Sequence, residues 1–306
     1  MSIALVIPDR KLEQLQQKLQ QQLPGVDIQI WPDIHQPEAV DFAVVWRQPA
    51  QSLATFSNLK ALQSFGAGVD SILCDSSLPD VPLARIVDPD LTKSMLNYLH
   101  GVLLHYQLRF DQFALQQQTQ QWKARSPRKI QQLCVLGLGE LGKAAVMYFQ
   151  QLGFQLCGWS ATAKQIAGVH CYAGEAEFAQ AVAEADLVIC LLPLTAHTEN
   201  LLNDQRLSQF KPGAILVNVA RGAIVDDLAL LQHLDNGQLS AACLDVFRTE
   251  PLPAEHPFWQ HKAIKLTPHI SAVTNADTAV LQIAENYQRV QAGLPMLNLV
   301  DKQRGY

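Results

Sequence analysis

The sequence predicts an α/β fold of two domains, each built on a parallel β-sheet with helices packed against it. Short apolar segments alternate with amphipathic helical segments along nearly the whole chain. Most of the apolar segments are almost free of polar residues, which is typical of strands covered on both faces. The alternation forms two series, and 306 residues are enough for two hydrophobic cores. Strand-helix-strand alternation of this kind implies parallel strands joined by right-handed crossovers.

The first series begins with the strand IALVIP (3–8), followed by a helix whose apolar face carries leucines at 12, 15 and 19. A long helix is predicted from about Thr92 towards Gln118. The polar stretch TQQWKARSPRK (119–129) is predicted to connect the domains, because it contains a proline and no apolar periodicity. The other strands of this series are predicted at 27–31, 42–47, 60–65 and 84–88.

The second series follows residue 129, and a closing helix is predicted at 275–291, placed to cross back to the first domain. Alternation of strands with helical segments again predicts a parallel sheet. The strands of this series are predicted in QLCVLG, QLCGWS, DLVICLLP, AILVNVA, LSAACLDVF and IKLTPH.

Composition excludes several classes of protein. Hydrophobic residues make up 48% and charged residues 17% of the chain, which suits a soluble globular protein and excludes disorder. The net charge of −5 predicts no basic face for nucleic acid or an anionic membrane. No apolar run approaches the roughly 20 residues that span a bilayer, and the N-terminus resembles a strand more than a signal peptide. The six cysteines are scattered without a CxxC pair, which predicts reduced thiols in a cytoplasmic protein and no metal site.

A glycine-rich loop links the strand QLCVLG to the helix that follows it. Gly137 allows a tight turn, Gly139 allows the backbone to approach a pyrophosphate, and Gly142 allows the helix to pack on the strand. Glu140 and Leu141 complete this GxGxxG pattern at the helix N-terminus, where N–H groups favour an anion. A turn without a ligand is the alternative, but the strand-to-helix context favours a dinucleotide-binding Rossmann domain.

The end of the next predicted strand, QLCGWS, indicates which dinucleotide is bound. An acid is expected there if the ribose 2′-hydroxyl of NAD is bound, but Ser160 occupies the position and no carboxylate follows until Glu175. Nothing there repels a 2′-phosphate, and Thr162 and Lys164 are able to bind one. The sequence therefore predicts that NADP(H) is preferred, mildly, and that NAD(H) is possible.

Three polar residues follow the later strands: Arg221 after AILVNVA, Glu250 in FRTEPLP, and His269 at the end of IKLTPH. Each has an ordinary alternative, as a surface arginine, a proline-flanked turn or a strand cap. In open parallel sheets, however, ligands bind outside the carboxyl ends of the strands. The three together, in this order after a dinucleotide loop, predict one catalytic set.

Reduction of a 2-oxo acid is the chemistry that uses these residue types. An arginine binds a carboxylate through two parallel hydrogen bonds and polarises the neighbouring carbonyl. A histidinium protonates the oxygen of the developing alcohol. A carboxylate on the other ring nitrogen fixes the tautomer of the imidazole.

Four segments resemble the D-isomer-specific 2-hydroxyacid dehydrogenase family: GLGELG, LLPLTAHTENLLN, VNVARGAIVDDLALLQHLDNGQLSAACLDVFRTEPLP and LTPHISAVT. Within that family the chain is most similar to the short glyoxylate/hydroxypyruvate reductases. This closer similarity rests on VVWRQP (44–49), FGAGVDSIL (65–73) and the terminal RGY (304–306). The resemblance covers nearly the whole chain.

The resemblance implies a flavodoxin-like substrate domain (1–97 plus 276–306), an inserted dinucleotide-binding domain (98–275) through which a homodimer forms, and a D-2-hydroxy acid product. It implies that Arg221, Glu250 and His269 are catalytic. The implied substrate-binding residues are Trp46 and the backbone N–H groups of Ala67, Gly68 and Val69. The further implied cofactor-binding residues are Leu192, Pro193, Thr198, Ala220 and Asp245, the last near the nicotinamide amide.

Asn97, before Tyr98, departs from the family's pattern, because members often carry an acid at that position. Similar reductases also carry arginines in the segment matching SATAK, where this chain keeps only Lys164. Two alternatives stay open from the sequence: a dehydrogenase of another small acid such as formate or phosphite, and a dinucleotide-sensing scaffold.

Overall fold

A computed structural model of the chain describes residues 2–8 and 10–306. The chain forms two compact units. The first unit comprises Met1–Leu91 and Thr274–Tyr306, and the second unit comprises Thr92–Val273. The functional domain limits expected from the sequence, 97/98 and 275/276, stay a prediction.

The elements of the first half are β1 (Ser2–Val6), α1 (Glu13–Gln22), β2 (Asp27–Ile30), β3 (Val40–Val45), β4 (Ala61–Ser64), α2 (Asp70–Leu73), β5 (Leu83–Ala84), α3 (Pro89–Gln107) and α4 (Phe110–Gln118). Those that follow are β6 (Gln132–Leu136), α5 (Glu140–Gln151), β7 (Gln155–Ser160), β8 (His170–Ala173), α6 (Phe178–Val182), β9 (Leu187–Cys190), α7 (Asp204–Leu207), β10 (Ala214–Asn218), α8 (Asp227–Asp235), β11 (Leu239–Leu244), β12 (Ile264–Leu266) and α9 (Ala276–Gln291).

The first unit is built on a parallel sheet. Among the described residues its five strands lie in the order β2-β1-β3-β4-β5, the order of flavodoxin-like domains. The closing helix α9 packs on this sheet beside α1, because Ile283 and Tyr287 share a core cluster with Leu15, Leu19 and Ile3. The prediction that the C-terminal helix returns to the first domain is therefore confirmed.

The second unit is a doubly wound parallel sheet. Seven strands of the described chain lie in the order β12-β11-β10-β9-β6-β7-β8. The strand order reverses between β6 and β9, which are hydrogen-bonded neighbours. In such sheets ligands bind in the crevice outside the carboxyl ends of the strands at this reversal. The loops after β6 and β9 border that crevice.

The edge strand β8 is missing from the sequence prediction. Its residues HCYA are exposed or half-buried, and the strand pairs with β7 along one of its two edges. An edge strand of this kind needs no apolar face on either side, so its sequence carries no continuous apolar pattern.

The prediction of one helix from about Thr92 to Gln118 is wrong. Arg109, with φ of 60°, separates α3 from α4. The segment that returns after α4 bonds to this break: the Arg109 Nε donates to the Ser126 carbonyl at 2.5 Å, and the Arg128 N–H donates to the Gln107 carbonyl at 2.8 Å. These contacts between distant residues end α3 at a point where the apolar pattern of the sequence continues.

The prediction that 119–129 connects the domains is also wrong. This segment lies inside the second unit, and the chain passes between the units at Leu91/Thr92 and at Val273/Thr274. The physical reason is that α3 continues across the first passage without a break, so no polar linker marks it.

Among the described residues, no helix has the length and apolar character of a membrane span, and no group of three or more His, Cys, Asp or Glu is placed to hold a metal ion. The six cysteines are free thiols.

Candidate active site

The glycine loop between β6 and α5 is shaped by close packing at two of its three glycines. Gly137 has φ of +100°, and a Cβ on it would lie 2.7 Å from the Leu191 carbonyl oxygen. A Cβ on Gly142 would lie 1.8 Å from the Gly137 carbonyl oxygen. Gly139, which caps the N-terminus of α5, faces open space, with nothing within 4 Å of its Cβ position. The loop therefore has room for a ligand at its second glycine, which fits a dinucleotide pyrophosphate.

The other two residues of the loop differ in environment. Glu140 is exposed in the first turn of α5. Leu141 is partly buried and packs against the core of the second unit. The arrangement places the backbone N–H groups of the first helical turn beside the open space at Gly139, where an anion is favoured.

The end of β7 carries a hydroxyl where an acid would bind a ribose. The Ser160 side chain is buried, and its Oγ donates to the Thr162 carbonyl at 2.8 Å. Thr162 and Lys164 are exposed in the loop that follows. The hydroxyl of Ser160 thus closes a turn in this loop, and the strand end presents no carboxylate.

The loop after β9 is organised by one threonine. The Thr198 Oγ1 donates to the Pro193 carbonyl at 2.6 Å and accepts a hydrogen bond from the Thr195 N–H at 2.8 Å. Leu192 is buried at the start of this loop. Thr198 therefore fixes the loop after β9, one of the two loops that border the crevice.

Arg221 follows β10 in a loop that a buried asparagine holds. The Asn218 Oδ1 accepts from the Ala220 N–H at 3.1 Å, and its Nδ2 donates to the Arg221 carbonyl at 2.9 Å. The Arg221 Nη1 donates to the Ala220 carbonyl at 2.7 Å. A Cβ on Gly222 would lie 1.9 Å from the Phe247 carbonyl carbon, so only glycine allows the loops after β10 and β11 to approach this closely.

His269 and Glu250 are in direct contact. The His269 Nδ1 lies 2.9 Å from the Glu250 Oε2, and the Glu250 Oε1 accepts from the Phe247 N–H at 3.1 Å. The side chains are 29% and 16% exposed, so the pair is partly shielded from water. His269 adopts φ of 55°, a left-handed conformation that is uncommon outside glycine. Because Nδ1 faces the carboxylate, Nε2 is the nitrogen that can exchange a proton with a substrate.

Asp245 is fully buried at the end of β11 and holds the loop that carries His269. Its Oδ1 accepts from the Ile270 N–H and its Oδ2 from the Ser271 N–H, both at 2.8 Å. Thr267 donates its hydroxyl to Oδ1 at 2.6 Å. The carboxylate therefore receives at least three hydrogen bonds from residues 267–271.

The predicted substrate-binding residues of the first unit lie in the segments that follow β3 and β4. The Trp46 ring packs so closely on Gly66 that a Cβ there would lie 2.3 Å from the ring. The buried Ser64 hydroxyl accepts from the Gly66 N–H at 3.2 Å and donates to the Gly68 carbonyl at 3.0 Å. Ala67 and Gly68 are half-buried, and Val69 caps α2. The loop is thus fixed from within by Ser64.

The model of the D-isomer specific 2-hydroxyacid dehydrogenase NAD binding domain matches residues 100–271. A glyoxylate/hydroxypyruvate reductase A from Serratia proteamaculans (strain 568) is 40% identical, with both chains covered completely. The protein belongs to the D-isomer specific 2-hydroxyacid dehydrogenase family.

Solved structures of this family resemble the protein over its full length. A D-isomer specific 2-hydroxyacid dehydrogenase from Xanthobacter autotrophicus Py2, in complex with NADPH and MES, is 37% identical with a TM-score of 0.95, covering 100% of this chain and 99% of that one. An NADPH-dependent glyoxylate/hydroxypyruvate reductase from Sinorhizobium meliloti, in complex with NADP and sulfate, is 29% identical with a TM-score of 0.93, covering both chains completely.

In this 2-hydroxyacid dehydrogenase the second unit brings Glu250 and His269 into contact and places Arg221 and the glycine loop at the same carboxyl edge of the sheet. The catalytic and binding roles of these residues stay predictions. Sequence reasoning missed Asn218, Thr267 and the hydroxyl of Tyr98, which shape the site through hydrogen bonds. The available signal was polarity within or next to strands otherwise composed of apolar residues.

Proposed function

We propose that this dehydrogenase reduces small 2-oxo acids, glyoxylate and hydroxypyruvate, to the D-2-hydroxy acids with NADPH. The observation that carries the proposal is the 2.9 Å contact between the His269 Nδ1 and the Glu250 Oε2. It orients a proton donor at the carboxyl edge of a dinucleotide-type sheet. The names of the full-length relatives support the substrate class.

The reaction adds a hydride to the carbonyl carbon and a proton to the carbonyl oxygen. NADPH, when bound, supplies the hydride. Arg221 binds the substrate carboxylate and polarises the carbonyl through its planar guanidinium. His269 gives the proton of Nε2 to the developing alkoxide. Glu250 holds Nδ1–H, so that the ring keeps one orientation and the imidazolium is stabilised before the proton leaves.

The dinucleotide is held by the second unit. The open position at Gly139 and the N–H groups of the first turn of α5 would hold the pyrophosphate. The absence of an acid at Ser160 favours a 2′-phosphate, towards which Thr162 and Lys164 contribute hydrogen bonds and charge. The preference for NADPH over NADH is modest, because an exposed lysine contributes about 1 kcal/mol or less. The loop residues Leu192, Pro193, Thr198 and Ala220 and the buried Asp245 complete the proposed cofactor set.

The first unit contributes a carboxylate-binding loop. The backbone N–H groups of Ala67, Gly68 and Val69 are proposed to bind the substrate carboxylate, and Trp46 to exclude water beside it. The fixed geometry of the loop supports this assignment, since Ser64 bonds to it at two positions. A preorganised loop binds an anion without the entropic cost of ordering the backbone on binding.

The protein is further proposed to form a homodimer through the second unit. Leu108 between α3 and α4, and Phe110 and Leu115 on α4, expose 40%, 53% and 51% of their surface. Trp122 in the following segment is fully exposed. Contiguous exposed apolar surface marks interaction sites, and a second copy of this chain is the proposed occupant. Light scattering of the wild type and of Leu115→Asp tests the dimer.

A cytoplasmic location is proposed because all six cysteines are thiols.

The activity is tested by following oxidation of NADPH and NADH against a panel of 2-oxo acids. We expect glyoxylate and hydroxypyruvate to be reduced, with NADPH the better cofactor. His269→Ala should lower kcat by roughly 10²–10⁴-fold, as removal of a general acid does, while NADPH still binds. His170→Ala removes an exposed histidine of β8 and should leave kcat unchanged.

Two results would contradict the proposal. Oxidation of formate or phosphite with no activity on 2-oxo acids would assign the protein to a different reaction on the same fold. NADPH binding without turnover of any acid would favour a dinucleotide-sensing scaffold.

A further inference from the structure

We propose that Tyr98 is a positioning residue for the reduction: its hydroxyl, through Thr267 and Asp245, fixes the backbone of the loop that carries His269. The inference rests on the proposed function, because His269 is taken to be the proton donor. All four residues belong to the second unit.

The hydrogen bonds that link Tyr98, Thr267 and Asp245 have a defined direction. The Tyr98 Oη lies 2.6 Å from the Thr267 Oγ1, and the Thr267 Oγ1 lies 2.6 Å from the Asp245 Oδ1. An ionised carboxylate can only accept, so the single hydroxyl proton of Thr267 points to Asp245. The Thr267 oxygen must then accept its second hydrogen bond from Tyr98. Burial raises the pKa of the Tyr98 hydroxyl, which therefore keeps its proton at working pH.

Asp245, at the end of this series of hydrogen bonds, holds the backbone at the catalytic histidine and at the two residues after it. The His269 N–H donates to the Asp245 carbonyl, the Ile270 N–H to its Oδ1 and the Ser271 N–H to its Oδ2, each at 2.8 Å. His269 itself is left-handed, with φ of 55°. Such a conformation costs free energy and persists only where surrounding contacts over-determine it. Asp245 supplies those contacts, and Tyr98 and Thr267 orient Asp245.

The position of Tyr98 on α3 makes a matched control available. Its ring packs against the core of the second unit, so Tyr98→Phe removes the hydroxyl and keeps the packing. Tyr106 lies on the same helix, and its hydroxyl donates to the Ala242 carbonyl in β11 at 3.3 Å. Tyr106→Phe therefore removes a buried tyrosine hydroxyl that does not reach the His269 loop.

The kinetic test compares Tyr98→Phe, Thr267→Val, Thr267→Ser and Tyr106→Phe. Small misplacements of a reacting group lower rates by up to about a hundredfold, so we expect kcat to fall roughly tenfold in Tyr98→Phe and in Thr267→Val. The KM for NADPH should change less than about twofold. Thr267→Ser keeps the hydroxyl and should restore kcat, and Tyr106→Phe should leave it unchanged. The double variant Tyr98→Phe/Thr267→Val should be no slower than Thr267→Val, because both break one chain.

Two further readouts do not depend on turnover. Amide hydrogen exchange at Ile270 and Ser271 should become faster in Tyr98→Phe, while exchange elsewhere in the unit stays as in the wild type. The imidazole ¹⁵N chemical shifts of His269, identified by their loss in His269→Gln, should move because the contact with Glu250 loosens. A purely structural tyrosine would instead raise exchange across the unit and leave these shifts in place.

Wild-type kcat together with wild-type exchange at Ile270 and Ser271 in Tyr98→Phe would overturn the positioning role. An equal loss of kcat in Tyr106→Phe would overturn it as well. If the wild type reduces no 2-oxo acid, the proposed function fails on its own, and the exchange and ¹⁵N measurements still decide whether Tyr98 positions His269.

Discussion

Substituting alanine for Gly142 or for Gly139, two glycines of the same loop, should affect two different properties: stability in the first case and dinucleotide binding in the second. In Gly142→Ala the new Cβ would lie 1.8 Å from the Gly137 carbonyl oxygen, a contact that must lengthen to about 3.4 Å to become ordinary. In Gly139→Ala the new Cβ would meet nothing within 4 Å. We expect the first substitution to destabilise the second unit and the second to weaken dinucleotide binding.

The magnitudes follow from what each Cβ meets. The obstacle at Gly142 is backbone, which cannot rotate away, so the cost is near the upper end of overpacking, about 3 kcal/mol. For a domain of this size that lowers Tm by roughly 6–12 °C. At Gly139 the weaker capping by alanine, up to about 1 kcal/mol, is offset by the reduced entropy of the unfolded chain, about 0.4–1 kcal/mol. Its Tm should stay within about 2 °C of the wild type, but NADPH binding should weaken at least about tenfold, because the methyl group occupies the space of the pyrophosphate.

Thermal unfolding with and without NADPH, together with NADPH titration, separates the two effects. Gly139→Ala should unfold as the wild type does and lose most of the stabilisation by NADPH. Gly142→Ala should unfold early even without ligand. Gly101→Ala, on α3 with nothing within 4 Å, is the control and should change neither property adversely. Wild-type NADPH affinity in Gly139→Ala, or a wild-type Tm in Gly142→Ala, would refute the assignment of the loop.

Three further predictions address other residues. Arg221→Lys should raise the KM for the 2-oxo acid sharply without lowering Tm, since an ammonium cannot make the two-point contact; unchanged kinetics with a lower Tm would mark a structural arginine. Ser160→Asp should reverse the cofactor preference measured as kcat/KM, because repulsion of a 2′-phosphate at about 4 Å is on the order of 4 kcal/mol per unit charge before screening. Ser160→Ala, which loses only the turn hydrogen bond, is its control, and a wild type that already favours NADH would contradict the reasoning. Partial burial opposes ionisation of Asp186, but two backbone N–H donors and Lys211 outweigh it and lower the pKa of its carboxyl. The stabilisation it contributes should therefore be complete above the unfolded value of about 3.9 and be lost as pH falls through the lowered value. Urea unfolding of Asp186→Asn should show a deficit at pH 7 that shrinks in acid, and a deficit independent of pH would show that the charge is irrelevant.

The sequence by itself determined the elements whose pattern is local. The strand-loop-helix unit around GLGELG, the buried strands of the second unit and the helix α9 could all be predicted. Each depends on periodicity and glycine placement within a few residues, and continuous apolar strands have few alternatives in a parallel sheet. The order of Arg221, Glu250 and His269 after successive strands was also enough to predict that they share one edge of the sheet.

Only the tertiary structure decided the features that depend on contacts between distant segments. The break at Arg109 is made by residues 126–128, and the exposed strand β8 exists because β7 offers it hydrogen bonds. The contact between Glu250 and His269 and the holding of the His269 loop by Asp245 are set in the same way. Loop conformations have no repeating pattern in sequence, since their hydrogen-bonding partners are supplied by whichever strands the fold places beside them.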